Sequence, residues 1–357
     1  MSEPPLPSWT SSPDLPRAHG APLGEGRLRV EPEDFRVTER LGFNPDGEGD
    51  HLLLWVRKTS ANTEWVARRL AAVAGVPVST VGYAGLKDRH AITEQWFSIP
   101  KPREGLPDWT PLGDQGIEVL ETHPHRRKLK RGALAGNRFR IQARDCPVGV
   151  EDLETRLAAI RARGVPNYFG EQRFGHADGN LRQAHALLTG AARRVVRHQR
   201  GLWLSAARSQ IFNELLAERV RRDDWDRPQP GEALQLAGSH SFFVANTIDD
   251  TLVARCGQRD LHPTGPLWGA GDPPTGPGVR ALEVSIAQGF APWLERLAGL
   301  GLEQERRALR LPVDDLVGEL DGTGLRLEFS LPSGAYATAV LREIITWPLG
   351  DAVSIGD

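Results

Sequence analysis

Sheet-like alternation opens this chain, lapses through a long helical middle and returns near the end, and that interruption constrains the fold more than any other feature. From Arg27 onward, Leu28 and Val30, then Phe35 and Val37, alternate with polar residues, and Leu52 to Val56 adds a more continuous apolar strand. Glu94 to Ile99, Ile117 to Glu121 and Asn137 to Ala143 continue the pattern, the last with Phe139, Ile141 and Ala143 on one face. Between them Val66, Leu70, Val73 and Ala74 follow helical spacing after Asn62 and stop at Gly75 and Pro77. The stretch from Glu151 to Arg222 reads as mostly helical, with Leu153, Leu157 and Ile160 on one stripe and Ile211, Phe212, Leu215 and Leu216 on another. Five prolines and five glycines between Pro263 and Val279 predict a long loop or a wall held by Trp268. Alternation then resumes at Leu325, Leu327 and Phe329, followed by a helical Ala335 to Ile345. The last segment is therefore expected to rejoin the first sheet, which makes the middle an insertion. Strict β-α-β alternation is missing, and no Gly-rich phosphate loop joins a strand to a helix. The expected class is α+β with a mixed, largely antiparallel sheet.

A length of 357 residues suits roughly two domains at about 150 residues each. The first 26 residues carry six prolines and no apolar period, and read as an extended or disordered lead-in. No apolar run approaches a membrane span and no signal or transit pattern stands at the start, so a cytoplasmic protein is expected. Cys146 and Cys256, 110 positions apart, fit no metal or redox spacing and read as reduced structural thiols. The net charge of -2 gives no overall pull on a polyanion, so any nucleic-acid surface must be a local patch.

The densest chemistry lies in Val81 to Phe97, where Asp88 sits between Lys87 and Arg89 in a turn preceded by Gly82 and Gly85. Flanking cations favour an ionised carboxylate, as a nucleophile or electrostatic stabiliser needs, and the glycines allow close approach by a ligand. A Lys-Asp-Arg turn is more often a solvated surface feature. Lys87, Arg89 or a basic residue distant in sequence is expected to pair with Asp88. His123 to Arg131 packs five cations and two histidines into nine residues, with Asn137 and Phe139 downstream, and is the best polyanion patch. A second cluster, Arg193, Arg194, Arg197, His198 and Arg200, reads first as an exposed helix face. The His-Pro-His pair lacks Cys, Asp or Glu at ligand spacing, so no metal site is expected. Gly269 to Asp272 lacks the third glycine of a dinucleotide fingerprint, leaving no cofactor motif.

Gly82 to Phe97 resembles the signature of the TruD family of tRNA pseudouridine synthases. Further matches follow in order: Glu33 to Glu39, Lys128 to Phe139, Gly164 to Gly175, Leu204 to Asn213, Pro263 to Gly271 and Leu331 to Thr338. The resemblance covers nearly everything after the first 26 residues. It implies a cofactor-free isomerase that converts a uridine of tRNA, at position thirteen in the bacterial members, to pseudouridine. It also implies a circularly permuted pseudouridine-synthase catalytic domain, residues 27–162 and 311–357, interrupted by an inserted α/β TRUD domain over 163–310. Asp88 matches the catalytic aspartate. Phe35, Asn137 and Tyr336 fall where the family contacts the target nucleotide, and Phe139 lies in the same motif. Phe is common where Tyr336 stands, and the added hydroxyl needs a partner. Neither a metal nor a small-molecule cofactor is expected, and no obligatory protein partner. The rival from another class is a non-catalytic structured-RNA-binding protein that keeps the cleft and basic run. A metal-dependent nuclease would need a carboxylate and histidine cluster, which the sequence does not offer.

Overall fold

The computed structural model describes residues 5–348 apart from 104 and 193. The chain divides into two compact units: residues 22–157, 313–337 and the C-terminal stretch from Ile344 form one, while 158–312, the N-terminal stretch to Ala21 and Thr338–Glu343 form the other. The boundary between Leu157 and Ala158 falls inside a helix, Val150–Arg163.

Among the described residues of the sheet unit, nine strands form one sheet. Along its main path the order is Asp314–Asp321, Gly324–Pro332, Leu134–Arg144, Phe35–Leu41, Ile92–Pro100, His51–Thr59 and Ile117–His125. Two short strands, Arg27–Leu28 and Gly82–Tyr83, pair onto 134–144 and 92–100. Only 35–41 and 92–100 run parallel; the other pairs are antiparallel. The C-terminal alternation does return to the first sheet: Leu327 stands opposite Ile141 and Phe329 opposite Phe139. One face is covered by the helix Thr63–Ala74, whose Val66, Ala67 and Leu70 are buried in a core with Leu52, Leu54, Val56 and Phe97. Gly75 ends this helix at φ 64°, a left-handed conformation that only glycine adopts without strain. Asn62 occupies the N-cap position, but its side chain makes no capping bond.

In the other unit, a 25-residue helix, Arg197–Arg221, packs against a four-stranded antiparallel sheet of Phe242–Ala245, Glu232–Leu236, Leu261–Leu267 and Glu305–Ala308. Two expectations fail here. Residues 263–279 are not one loop: the first five belong to the Leu261–Leu267 strand, and Pro277 opens a helix to Gln288. Proline is tolerated in that strand because its two halves pair with different neighbours, each on one side only, and at the first turn of a helix because no N–H is needed there. The N-terminal segment, from residue 5, is not a disordered lead-in either. Leu15 is buried, Trp9 packs 6.3 Å from Trp293 and donates to Asp178, Thr10 donates to Glu214, and Arg342 reaches the carbonyls of Leu15 and Pro16. Proline-rich backbone has few donors of its own, but these side-chain anchors and a borrowed guanidinium hold it in place.

Candidate active site

The candidate residues of the sheet unit share a face because strand register puts them there. Lys58 stands opposite Thr93, Thr93 opposite Val37, Val37 opposite Phe139 and Phe139 opposite Phe329, one row across five strands. Side chains two residues apart on a strand point the same way, so Phe35, Glu39, Asn137 and Ile141 join that face. Glu39 is directly opposite Asn137, and Asn137 opposite Leu331. Gly136, next to Asn137, must lack a side chain because a Cβ there would run into the Leu331 carbonyl.

Asp88 lies on the loop between Gly82–Tyr83 and Ile92–Pro100, with its side chain 22% exposed. Its ionic partner is Arg29, whose Nη2 is 3.6 Å from Oδ1. Arg29 also lies over the Phe35 ring, 4.3 Å from its centroid, and has φ of 58°, which is rare for a residue with a side chain. Lys87 does not pair with Asp88: its Nζ is 2.6 Å from Glu39, and both groups are almost wholly buried. Burial pushes the Glu39 carboxyl up, and the ammonium beside it opposes that shift. Arg89 is exposed. The expectation of a cation distant in sequence is met, and that of its two chain neighbours is not.

Buried polar groups hold the loop's backbone. Thr63 accepts from the Lys87 N–H and donates to Gln95, while the Gln95 amide donates to the Gly85 carbonyl. Lys58, wholly buried, donates to the carbonyls of Ala61 at 2.6 Å and Asp88 at 2.9 Å. Gly82 serves internal packing more than ligand approach, since a Cβ there would meet the Leu129 carbonyl and Ser98 Oγ. Leu129 belongs to the basic run, and Gly132 at its end donates to the Ala84 carbonyl. The run therefore borders the Asp88 loop, with Arg131 over the Tyr83 ring and Arg126, Arg127 and Lys130 exposed.

Phe35 and Phe139 meet edge to face at 6.3 Å, and Phe139 stacks on Phe329 at 5.4 Å. Phe35 and Phe139 are both buried. Asn137 Oδ1 is buried with no donor among the described residues. Tyr336 is half-buried, in the turn that leads from the 324–332 strand into the short helix Ala337–Leu341. Of the second basic cluster, Arg194, Arg197, His198 and Arg200 are exposed at the start of the long helix or just before it, and Arg193 lies outside the described residues. Cys146 and Cys256 are free, buried thiols, both pushed up by burial. Among the described residues no cluster of three His, Cys, Asp or Glu side chains could hold a metal, and no helix is long and apolar enough to cross a membrane.

The family model for tRNA pseudouridine synthase D (TruD) matches residues 19–188 and 179–344. The chain belongs to the TruD family. A tRNA pseudouridine synthase D of Methylococcus capsulatus is 51% identical over 342 residues, covering 94% of this chain and 96% of that one. One from Azotobacter vinelandii is 46% identical over 340 residues, with 94% and 96% covered. The crystal structure of a candidate tRNA pseudouridine synthase D from Methanosarcina mazei shares the fold, with a TM-score of 0.72 at 20% identity, over 92% of this chain and 95% of that one. Arg29, Glu39 and Lys58 were not singled out from the sequence. Each still leaves a trace there: Glu39 ends the Phe35, Val37 series and Lys58 the Leu52, Leu54, Val56 series, a charge closing an otherwise apolar strand face.

Proposed function

We propose that this chain isomerises uridine in tRNA to pseudouridine, at the position thirteen that the family resemblance implies, with Asp88 as the catalytic residue and without a cofactor. The observation that carries this reading is the partly exposed Asp88 carboxylate held by Arg29 beside a buried aromatic floor. The reaction breaks N1–C1′, turns the uracil, forms C5–C1′, returns a proton to N1 and removes one from C5. An ionised Asp88 acts at the sugar, by attack on C1′ or by taking a ribose proton, and the target uridine leaves its stack to reach it.

Phe35 and Phe139 make the floor, and the half-buried Tyr336 supplies the ring that stacks on the base. Asn137 Oδ1 accepts from uracil N3–H or a ribose hydroxyl, which would satisfy an acceptor that is otherwise costly to bury. The exposed cations of 126–131 contact phosphates, with the arginines around 194–200 as a second set, and residues 163–310 are the TRUD insertion. Relatives that match 94% of the chain are named as tRNA enzymes, which supports tRNA as substrate.

The test is tritium release from tRNA labelled at uridine C5, in chelator, comparing the natural chain with Asp88→Asn. Release that vanishes in the variant while tRNA binding persists is expected. Binding without release from any tRNA by the natural chain would replace the enzyme by a structured-RNA-binding protein.

A further inference from the structure

We propose that Lys58 is a positioning residue for the reaction: its buried ammonium fixes the Asp88 backbone through the Asp88 carbonyl and places a positive charge beneath the catalytic carboxylate. This rests on the reading of Asp88 given above.

Two observations carry it. Lys58 has no exposed surface, and among the described residues no carboxylate is bonded to it, only the carbonyls of Ala61 and Asp88. An ammonium buried on neutral acceptors is costly, and a neutral side chain would serve packing better. The position also resists the chain's general preference: of 44 basic residues only five are lysine, and two of these are Lys58, bonded to the Asp88 carbonyl, and Lys87, in the Asp88 loop itself. A compact ammonium with three rotatable donors can reach two separate carbonyls, whereas a guanidinium's donors are fixed in a planar fork.

The charged groups acting on Lys58 are Asp88, which favours the ammonium, and Lys87, which opposes it while held by Glu39. The charges on neighbouring elements face elsewhere: Glu94 and Glu118 pair with Arg57 on the other side of the strand, and Glu64 on the covering helix and Arg89 on the loop are exposed. Burial therefore dominates, and the ammonium is pushed down to about 8. Above that pH the amine still donates hydrogen bonds, but the positive charge is gone.

The experiment is single-turnover tritium release and tRNA affinity across pH 6 to 10 for the natural chain, Lys58→Met and Asp88→Asn. The natural rate is expected to fall as pH rises through about 8. Lys58→Met should bind tRNA normally, lose roughly thirtyfold or more in rate at pH 7, and show no alkaline fall near 8, which a packing defect alone would not remove. A folded Lys58→Met within threefold of the natural rate, or one with an unchanged alkaline fall, overturns the proposal. If Lys58→Met does not fold, 13C-lysine NMR of the natural chain decides, since five lysines give five ε signals. A buried ε signal titrating with the rate supports the role, and one that stays charged while the rate falls overturns it. An inactive natural chain would instead sink the Asp88 reading itself.

Discussion

Lys87 adjoins Asp88 in sequence, yet its ammonium lies 2.6 Å from Glu39 on the 35–41 strand, leaving Arg29 to meet Asp88. The loop is thus tied to the sheet by one charge pair and its carboxylate oriented by a second.

Breaking the inner pair on one side should be severe. Glu39→Ala leaves Lys87 uncompensated in a buried site, and a loss of about 3–5 kcal/mol is expected in urea unfolding. A loss below about 1 kcal/mol would mean that water reaches Lys87.

Arg29 is partly exposed, so its removal should affect rate more than stability. Arg29→Met is expected to slow single-turnover isomerisation on the order of tenfold to a hundredfold, with Arg29→Lys retaining more activity. Equal rates for Met and Lys would show that the charge is not what matters.

The basic run should act through phosphates. Arg127→Gln with Lys130→Gln is expected to weaken tRNA binding and to lower the slope of log affinity against log salt by about 0.7–0.9 for each phosphate that is no longer neutralised. An unchanged slope would remove the run from the interface.

The four-stranded sheet carries an acid-sensitive group. His262 is buried, and its Nδ1 accepts from the Arg310 Nε–H, so the ring must be neutral. Burial first, then the neighbouring guanidinium, push it down from 6.5 to about 4. Between those values the unfolded chain binds a proton that the folded chain refuses, so stability falls with falling pH, by up to about 3 kcal/mol. Urea midpoints measured from pH 7 to 4 should decline less for His262→Gln than for the natural chain; parallel declines would place the acid sensitivity elsewhere.

Much of the sheet was legible because one apolar and one polar face leave a period of two, as in Phe139, Ile141 and Ala143 or Leu325, Leu327 and Phe329. Site candidates came from resemblance more than from pattern, and their setting depends on pairing register, which local sequence does not encode. Arg29 reads as an ordinary strand residue between Leu28 and Val30, and nothing local announces a positive φ. Trp9 and Leu15 show the opposite failure: proline density signalled disorder, and the contacts that order the segment lie more than 150 residues away in sequence.

The strand bearing Asn137 and Phe139 takes one neighbour, 35–41, from before it and the other, 324–332, from almost the end of the chain. During synthesis the ribosome must deliver the whole 158–312 block before that second edge can be covered. The face that carries Asn137 and Phe139 is therefore completed only after that block, and a nascent chain that stops short of residue 324 would carry Asp88 without the strand that backs Phe139.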